Sequence, residues 1–404
     1  MIAIVGGEKR VYLIPSYRER CIPRIAVNPG GNQRECDASA AERHSKLHRI
    51  AITGAQQLFL TGITALPNRA GGVNHVSGGQ CEAWCRYRAT GENRGKSVTG
   101  LLHIPSSRRT ENRAAHAAAH QQPRVRRVNN RIHLHGGDDL VMDIIAPQST
   151  GDDDNRRYPT VIFVQGSAWT TPHRDYEIPQ LSALAREGFV VATVNHRDAS
   201  SDPHDVFPAY LEDVKAAIRY LRANARQWHV DPDRLGIWGT SSGGNTSLLV
   251  GLTADDPRYE DGTNADESDT VKYVVSCFPP TDMLEAVDAF DDETNPFRLY
   301  YFGPFAAVVG ATHETGINAE VRQRAADMSP YLQVRDGRQY PPMLLLHGTA
   351  DTVVPYHQSV KMRDRLAEHG VDAQLVLVDG AEHEYDFWSQ QVFDVIFDFI
   401  RERS

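Results

Sequence analysis

The chain has 404 residues, of which 41% are hydrophobic, 24% charged and 8% aromatic, and a formal net charge of −9. This composition can bury a sizeable core, which excludes fibrous and wholly disordered classes; no run of about 18 apolar residues occurs, so no membrane-spanning helix is expected. The charge is unevenly placed, with 17 Lys+Arg against 8 Asp+Glu in residues 1–122 and 26 against 44 in the remainder, and the two parts read as different objects.

Residues 1–122 scatter Gly, Arg, His and Asn among few sustained apolar periods, so they are expected to form an irregular N-terminal extension, with residues 50–64 and 97–104 the best candidates for local order. Met1-Ile2-Ala3-Ile4-Val5 is too short, and meets charge too soon, to be a secretory core; a cytoplasmic location follows as the expectation. Four of the five cysteines lie here. Cys81-x-x-x-Cys85 with His75 lacks a clean second pair of ligands, and His116 and His120 sit in an Ala-rich run that reads as a solvated helix face, so no metal is expected. The basic residues are dispersed and come with no nucleic-acid-binding motif, so neither nucleic acid nor membrane is an expected partner.

From Pro123 the pattern sharpens. Arg124 to Leu134 and Asp139 to Ile145 alternate as two strands around a His135-Gly136-Gly137-Asp138 turn, where His133, His135, Asp138 and Asp139 read as a polar hairpin tip rather than a metal cluster. Tyr158 to Val164 is a continuous apolar run, as expected of an interior parallel strand. It runs into Gln165-Gly166-Ser167-Ala168-Trp169. Small residues there let the backbone approach a substrate, and the amides of Gly166 and Ser167 are candidate oxyanion donors, with Trp169 a candidate substrate contact. A helix over 178–187, a strand over 189–195 and an amphipathic helix opening near Asp205 and running to Arg226 follow; Asp213 within it is expected to be a buried structural partner.

Leu235 to Asn245 carries the sharpest motif. An apolar strand meets Gly239-Thr240-Ser241-Ser242-Gly243 and a helix-compatible stretch, the context of a nucleophile elbow that forces the Ser241 hydroxyl out at the carboxyl end of its strand. Gly239 and Gly243 stand where side chains would collide with the neighbouring strand and helix. The helix starting at Ser242 aims its first amides and the positive end of its dipole at charge developing beside that hydroxyl, so Ser242 N–H is the second candidate oxyanion donor.

A strand over 271–278 follows, and residues 283–340 then break the rhythm. Phe297, Tyr300, Tyr301, Phe302 and Phe305 crowd together there, and the segment is expected to form a small lid whose aromatics either line a pocket or simply pack. Pro342 to His347 is another strand, leading to Gly348-Thr349-Ala350-Asp351; a helix over 356–370, a strand over 374–378 and Gly380-Ala381-Glu382-His383 follow. Asp351 and His383 therefore both stand just past strand ends, on the same edge as Ser241. His347 and Asp379 are the competing acid and base assignments, the first inside or at the end of its strand and the second hard against its own. A serine hydroxyl attacks poorly without a base to take its proton, and the base needs an acid partner to fix its tautomer. Ser241, Asp351 and His383 would supply those three roles.

Strand alternating with helix implies a mostly parallel, twisted sheet covered on both faces. Val164 to Trp169, Phe207-Pro208-Ala209 with Asp213, Trp238 to Asn245, His347 to Pro355 and Ala381-Glu382-His383 together resemble the α/β-hydrolase carboxylesterases, particularly the branch holding feruloyl, acetyl-xylan and hormone-sensitive-lipase-like esterases, over residues 123–404. The resemblance implies an α/β-hydrolase domain over those residues and hydrolysis of carboxylic esters through an acyl-serine, without metal or organic cofactor, on short acyl or hydroxycinnamoyl esters, including esters on plant polysaccharide. Gln165-Gly166-Ser167-Ala168 departs from the family's usual His-Gly-Gly-Gly. A serine peptidase of the prolyl-oligopeptidase type is the nearest rival, and a catalytically silent binding protein on this fold is another; the oligomeric state is not readable.

Overall fold

The alternating apolar stretches become strands of one sheet in the computed structural model, which describes residues 101–105, 124–133, 139–148, 155–291, 303–312 and 314–404. The strands are β1 (Leu101–Pro105), β2 (Val125–His133), β3 (Asp139–Pro147), β4 (Tyr158–Val164), β5 (Val190–Val194), β6 (Val230–Thr240), β7 (Val274–Cys277), β8 (Met343–Gly348) and β9 (Ala373–Asp379). Their order across the sheet is β1-β9-β8-β7-β6-β4-β5-β3-β2. β3 runs antiparallel to both its neighbours, and every other pairing is parallel. Parallel pairing aligns the carboxyl ends: Val164 stands opposite Gly239, and Thr240 opposite Cys277. The residues that follow these strands thus emerge along one rim.

Period-two alternation in buried strands feeds two cores. Ile162 and Val164 face one cluster while Val161 and Phe163, next door, face the other. The first cluster takes the apolar faces of α2 (Ala209–Ala223) and α4 (Ser242–Leu252), with Leu211, Val214, Ile218, Leu248 and Leu249 fully buried. The second takes α1 (Ile178–Arg186) through Leu181 and Leu184, and α10 (Gln390–Arg403). The remaining helices are the short α3 (Ala225–Trp228), α5 (Met283–Asp291), α6 (Pro304–Val309), α7 (Ala319–Asp327) and α8 (Pro330–Gln333) in the stretch between β7 and β8, and α9 (His357–Glu368); their buried Trp228, Met283, Phe305, Val321 and Met362 join the first cluster.

Two elements differ from the sequence expectation. β1 overlaps residues 97–104, one of the two stretches of the N-terminal extension expected to hold local order, but its place in the sheet was not read from the sequence. Its register runs residue by residue along β9, from Leu101 opposite Leu375 to Pro105 opposite Asp379. A five-residue run carries no period of its own; it is a strand because a distant strand offers it a ladder. The second is α10, unread from the sequence, in which Val392, Phe393, Ile396, Phe397, Phe399 and Ile400 are buried. Covering six such side chains is worth of order 10 kcal/mol before ordering costs, so the C-terminal helix is a principal wall of the second core. Ser389 caps it by accepting from the Val392 amide.

The candidate metal pairs at Cys81, Cys85 and His75 and at His116 and His120, the hairpin tip at 134–138, and the aromatics Phe297, Tyr300, Tyr301 and Phe302 lie outside the described residues. No helix among the described residues is long and apolar enough to cross a membrane.

Candidate active site

Ser241 sits between β6 and α4 with φ 51 and ψ −120, a backbone conformation that side-chain-bearing residues seldom adopt. The surroundings hold it there. Its amide donates to the Cys277 carbonyl at 2.9 Å, pinning the turn to β7. A Cβ on Gly239 would lie 2.0 Å from the Gly243 carbonyl oxygen, and one on Gly243 would lie 2.0 Å from that of Val164. Both obstacles are main chain and cannot swing aside, so glycine at these two positions is what lets strand, turn and helix close up.

Asp351 and His383 leave the sheet from adjacent strands, and the two loops are stitched together. The Thr349 amide donates to the Val378 carbonyl at 3.0 Å, Ala350 to Ala381 at 2.9 Å, and the Thr352 hydroxyl to Glu382 at 2.9 Å. Asp351 has no exposed side-chain surface. Its Oδ1 accepts from the Val353 and Val354 amides, both at 2.8 Å, and its Oδ2 faces His383 Nδ1 at 2.7 Å. His383 Nε2 is 3.0 Å from Ser241 Oγ. Burial alone would push the Asp351 carboxyl up, but His347 and His383 beside it hold it well below the usual carboxylate range. An ionised Asp351 only accepts, so His383 carries its proton on Nδ1 and turns the bare Nε2 to the hydroxyl. The Phe278 ring meets the imidazole edge-on at 4.6 Å and closes its other face.

The structure therefore brings Ser241, Asp351 and His383 together. It separates the competing residues: Asp379 is exposed at the end of β9, and His347 is buried behind Asp351 with Nε2 3.2 Å from its Oδ2.

The loop after β4 reaches the elbow, but not with free amides. Gly166 N–H donates to the Thr240 hydroxyl at 2.8 Å, and Ser167 N–H to the Ser242 hydroxyl at 2.9 Å. Both expected oxyanion donors are thus engaged by side chains of the elbow itself. The reason is local: the chain comes so close that a Cβ on Gly166 would lie 2.7 Å from the Ser241 Cβ, and two hydroxyls stand within reach of the approaching main chain. Ser242 N–H, the third candidate, opens α4, where the first helical amides lack intrahelical partners. Sequence reasoning passed over Ala168, next in line, although it and Trp169 both have left-handed backbones with φ 52 and 60. Trp169 is 6% exposed and packs with its ring 6.3 Å from Tyr210 and 6.1 Å from Phe305, so core packing takes most of its surface.

A second feature escaped the sequence. Glu384, immediately after His383, accepts from the Tyr176 hydroxyl and, at 3.0 Å, from the Trp388 indole N–H, tying the histidine loop to the segment before α1. Burial, and then the charge of Glu384, push the neighbouring Glu177 up to about 7. Asp213, as expected, is fully buried and paired, accepting from the Arg197 amide at 2.7 Å and its guanidinium at 2.9 Å.

Comparison with known proteins gives a consistent picture. The BD-FAE family model matches residues 142–366, more than half of the chain. Esterase LipC of Mycobacterium tuberculosis is 31% identical over 264 residues, covering 65% of this chain and 61% of LipC. The probable carboxylic ester hydrolase LipM of the same organism is 30% identical over 214 residues, covering 52% of this chain and 45% of LipM. The chain thus spans less than two thirds of the length of either relative. Among solved structures, a truncated form of a carbohydrate esterase from gut microbiota superposes with a TM-score of 0.57 at 27% identity, covering 69% of this chain and 96% of that one. The propionate-bound esterase Est2 of Thermogutta terrifontis shares the fold, with a TM-score of 0.54 at 21% identity over 68% of this chain and 93% of Est2.

Proposed function

Because this chain belongs to the BD-FAE family, we propose that it is a serine esterase that hydrolyses carboxylic esters through an acyl-serine, with Ser241 as nucleophile, His383 as base and Asp351 as its partner. The observation that carries the reading is the unbroken line from Asp351 Oδ2 through both ring nitrogens of His383 to Ser241 Oγ, at 2.7 and 3.0 Å. Ser241 attacks the ester carbonyl as His383 Nε2 takes its proton; the imidazolium, balanced by Asp351, returns that proton to the departing alcohol. Water then repeats the attack on the acyl-serine, again giving its proton to His383, which passes it to Ser241 Oγ as the acyl bond breaks and the acid leaves.

The carbonyl oxygen becomes negative at each attack. Ser242 N–H, at the positive end of α4, and Ala168 N–H on the β4 loop are the donors proposed for it. Every proton in this sequence has a donor and an acceptor among the chain's own residues and water. Short acyl or hydroxycinnamoyl esters, including those borne on polysaccharide, are the proposed substrates. The likeness to a carbohydrate esterase, covering almost all of that chain, supports this choice over a peptide substrate.

The test uses the full chain. A fluorophosphonate should label Ser241, and p-nitrophenyl acetate and methyl ferulate should both turn over, with Ser241→Ala losing labelling and at least about a thousandfold in kcat. Turnover retained in Ser241→Ala, or an intact protein inactive on every ester offered, would refute the reading.

A further inference from the structure

The residue behind the carboxylate has partners that all belong to the turn presenting Asp351 or to the helix braced against it. His347 is the penultimate residue of β8, opposite Leu377 of β9, with no exposed side-chain surface. An aliphatic side chain there would need no hydrogen-bond partners of its own, whereas an imidazole needs partners for both nitrogens. It has them. Nε2 lies 2.8 Å from the Val354 carbonyl oxygen and 3.2 Å from Asp351 Oδ2; neither of these can donate, so Nε2 carries the proton. Nδ1 lies 2.7 Å from the Ser359 hydroxyl on α9, which can donate to it and so fixes that tautomer.

We propose that His347 is a positioning residue for the hydrolysis, holding the turn that aims the Asp351 carboxylate at His383. Val354 is gripped on both sides: its N–H donates to Asp351 Oδ1, and its carbonyl accepts from His347 Nε2. For the carboxylate to swing away from His383, it must give up the Val353 and Val354 amides, and the turn must leave His347 with them. His347 N–H also lies beside the oxygen that serves His383, fixing where that oxygen sits. The groups facing His347 are therefore Ser359 from α9, the Val354 carbonyl and Asp351 from the turn, with His383 on the far side of the same carboxylate. The inference rests on the proposed roles of Ser241, Asp351 and His383.

The experiment compares His347→Leu, His347→Gln and Ser359→Ala in the full chain, following kcat, KM, the pH profile of kcat/KM, the rate of fluorophosphonate labelling and the melting temperature. In His347→Leu the carboxylate is poorly aimed. Its kcat should fall about tenfold or more with KM within about threefold, and the acid limb of the profile should move to lower pH, because the imidazolium at 383 loses an aligned counter-charge. His347→Gln keeps an N–H near the position of Nε2 and should recover most of the loss; Ser359→Ala, which frees Nδ1, should fall between wild type and His347→Leu. A merely structural histidine would lower the melting temperature and leave the acid limb in place. An unmoved limb, a limb moved upward with activity retained, or a Gln variant no better than Leu would each overturn the proposal. If His347→Leu does not fold, wild-type kcat and profile in both other variants would do so. Failure of the triad reading is distinguishable, since it would show as turnover surviving in Ser241→Ala whatever His347 does.

Discussion

Replacing Asp351 by Asn tests the whole site with one atom exchanged. The Asp351 side chain is held by four N–H groups in two pairs: Val353 and Val354 amides on Oδ1, both at 2.8 Å, and His383 Nδ1 with His347 Nε2 around Oδ2, at 2.7 and 3.2 Å. In Asp351→Asn the amide must choose an orientation, and the two main-chain N–H groups cannot turn away. The carbonyl oxygen stays with them and the NH2 is presented to His383. That forces the His383 proton from Nδ1 to Nε2, where it points at Ser241 Oγ and cannot receive another. The same substitution in a serine protease triad lowers kcat about 10⁴-fold by this tautomer error, which corresponds to about 5 kcal/mol of transition-state stabilisation, and a loss of 10³- to 10⁴-fold is expected here. The NH2 also meets His347 N–H, donor against donor, so a stability loss of about 1–3 kcal/mol accompanies it. The assay is kcat on p-nitrophenyl acetate together with urea unfolding, with Asp379→Asn as the companion because that side chain ends β9 exposed. Asp351→Asn retaining a tenth or more of the wild-type kcat, or Asp379→Asn losing as much as Asp351→Asn, would refute the assignment.

Two further outcomes follow from the same geometry. Glu177, raised from an ordinary value of 4.5 to about 7, binds a proton in the folded chain that the unfolded chain has released, so stability falls as pH rises through that window. The shift sets an upper bound of about 3 kcal/mol, and partial solvent contact reduces the expected loss to about 1–2 kcal/mol; Glu177→Gln should flatten the decline in urea stability between pH 5 and 8, and an unchanged slope would remove Glu177 as its source. Gly243→Ala places a methyl 2.0 Å from the Val164 carbonyl oxygen, so α4 and β4 must part; a loss of about 3 kcal/mol or more in unfolding free energy is expected, and a variant as stable as wild type would show that the elbow is looser than its contacts imply.

How much of this was readable in the residues depended on whether a signal was local. The elbow glycines, the buried run of β4 and the loop signatures holding Asp351 and His383 each announce themselves within about ten residues, and strand ends brought to one rim by parallel pairing do the rest. What the residues did not show was side-chain traffic across the chain. Gly166 and Ser167 belong to the loop expected from the sequence, but whether their amides are free depends on Thr240 and Ser242, more than 70 residues away, whose hydroxyls happen to lie within reach. β1 was legible only as local order over 97–104; that it becomes a strand of this sheet depends on the distant β9 beside it.

His347 shows the difference between the two kinds of signal. As a sequence symbol it competes with His383, since both follow apolar strands and both can act as a base. The structure separates them by their neighbours: His383 Nε2 faces a hydroxyl that can surrender a proton, while His347 Nε2 faces a carbonyl and a carboxylate that can only accept one. A ring with Nε2 committed as a donor and Nδ1 occupied by the Ser359 hydroxyl has no lone pair to offer a substrate. Two histidines on one aspartate thus divide the work, one exchanging protons at the rim and the other fixing, from inside the sheet, the carboxylate that makes the exchange possible.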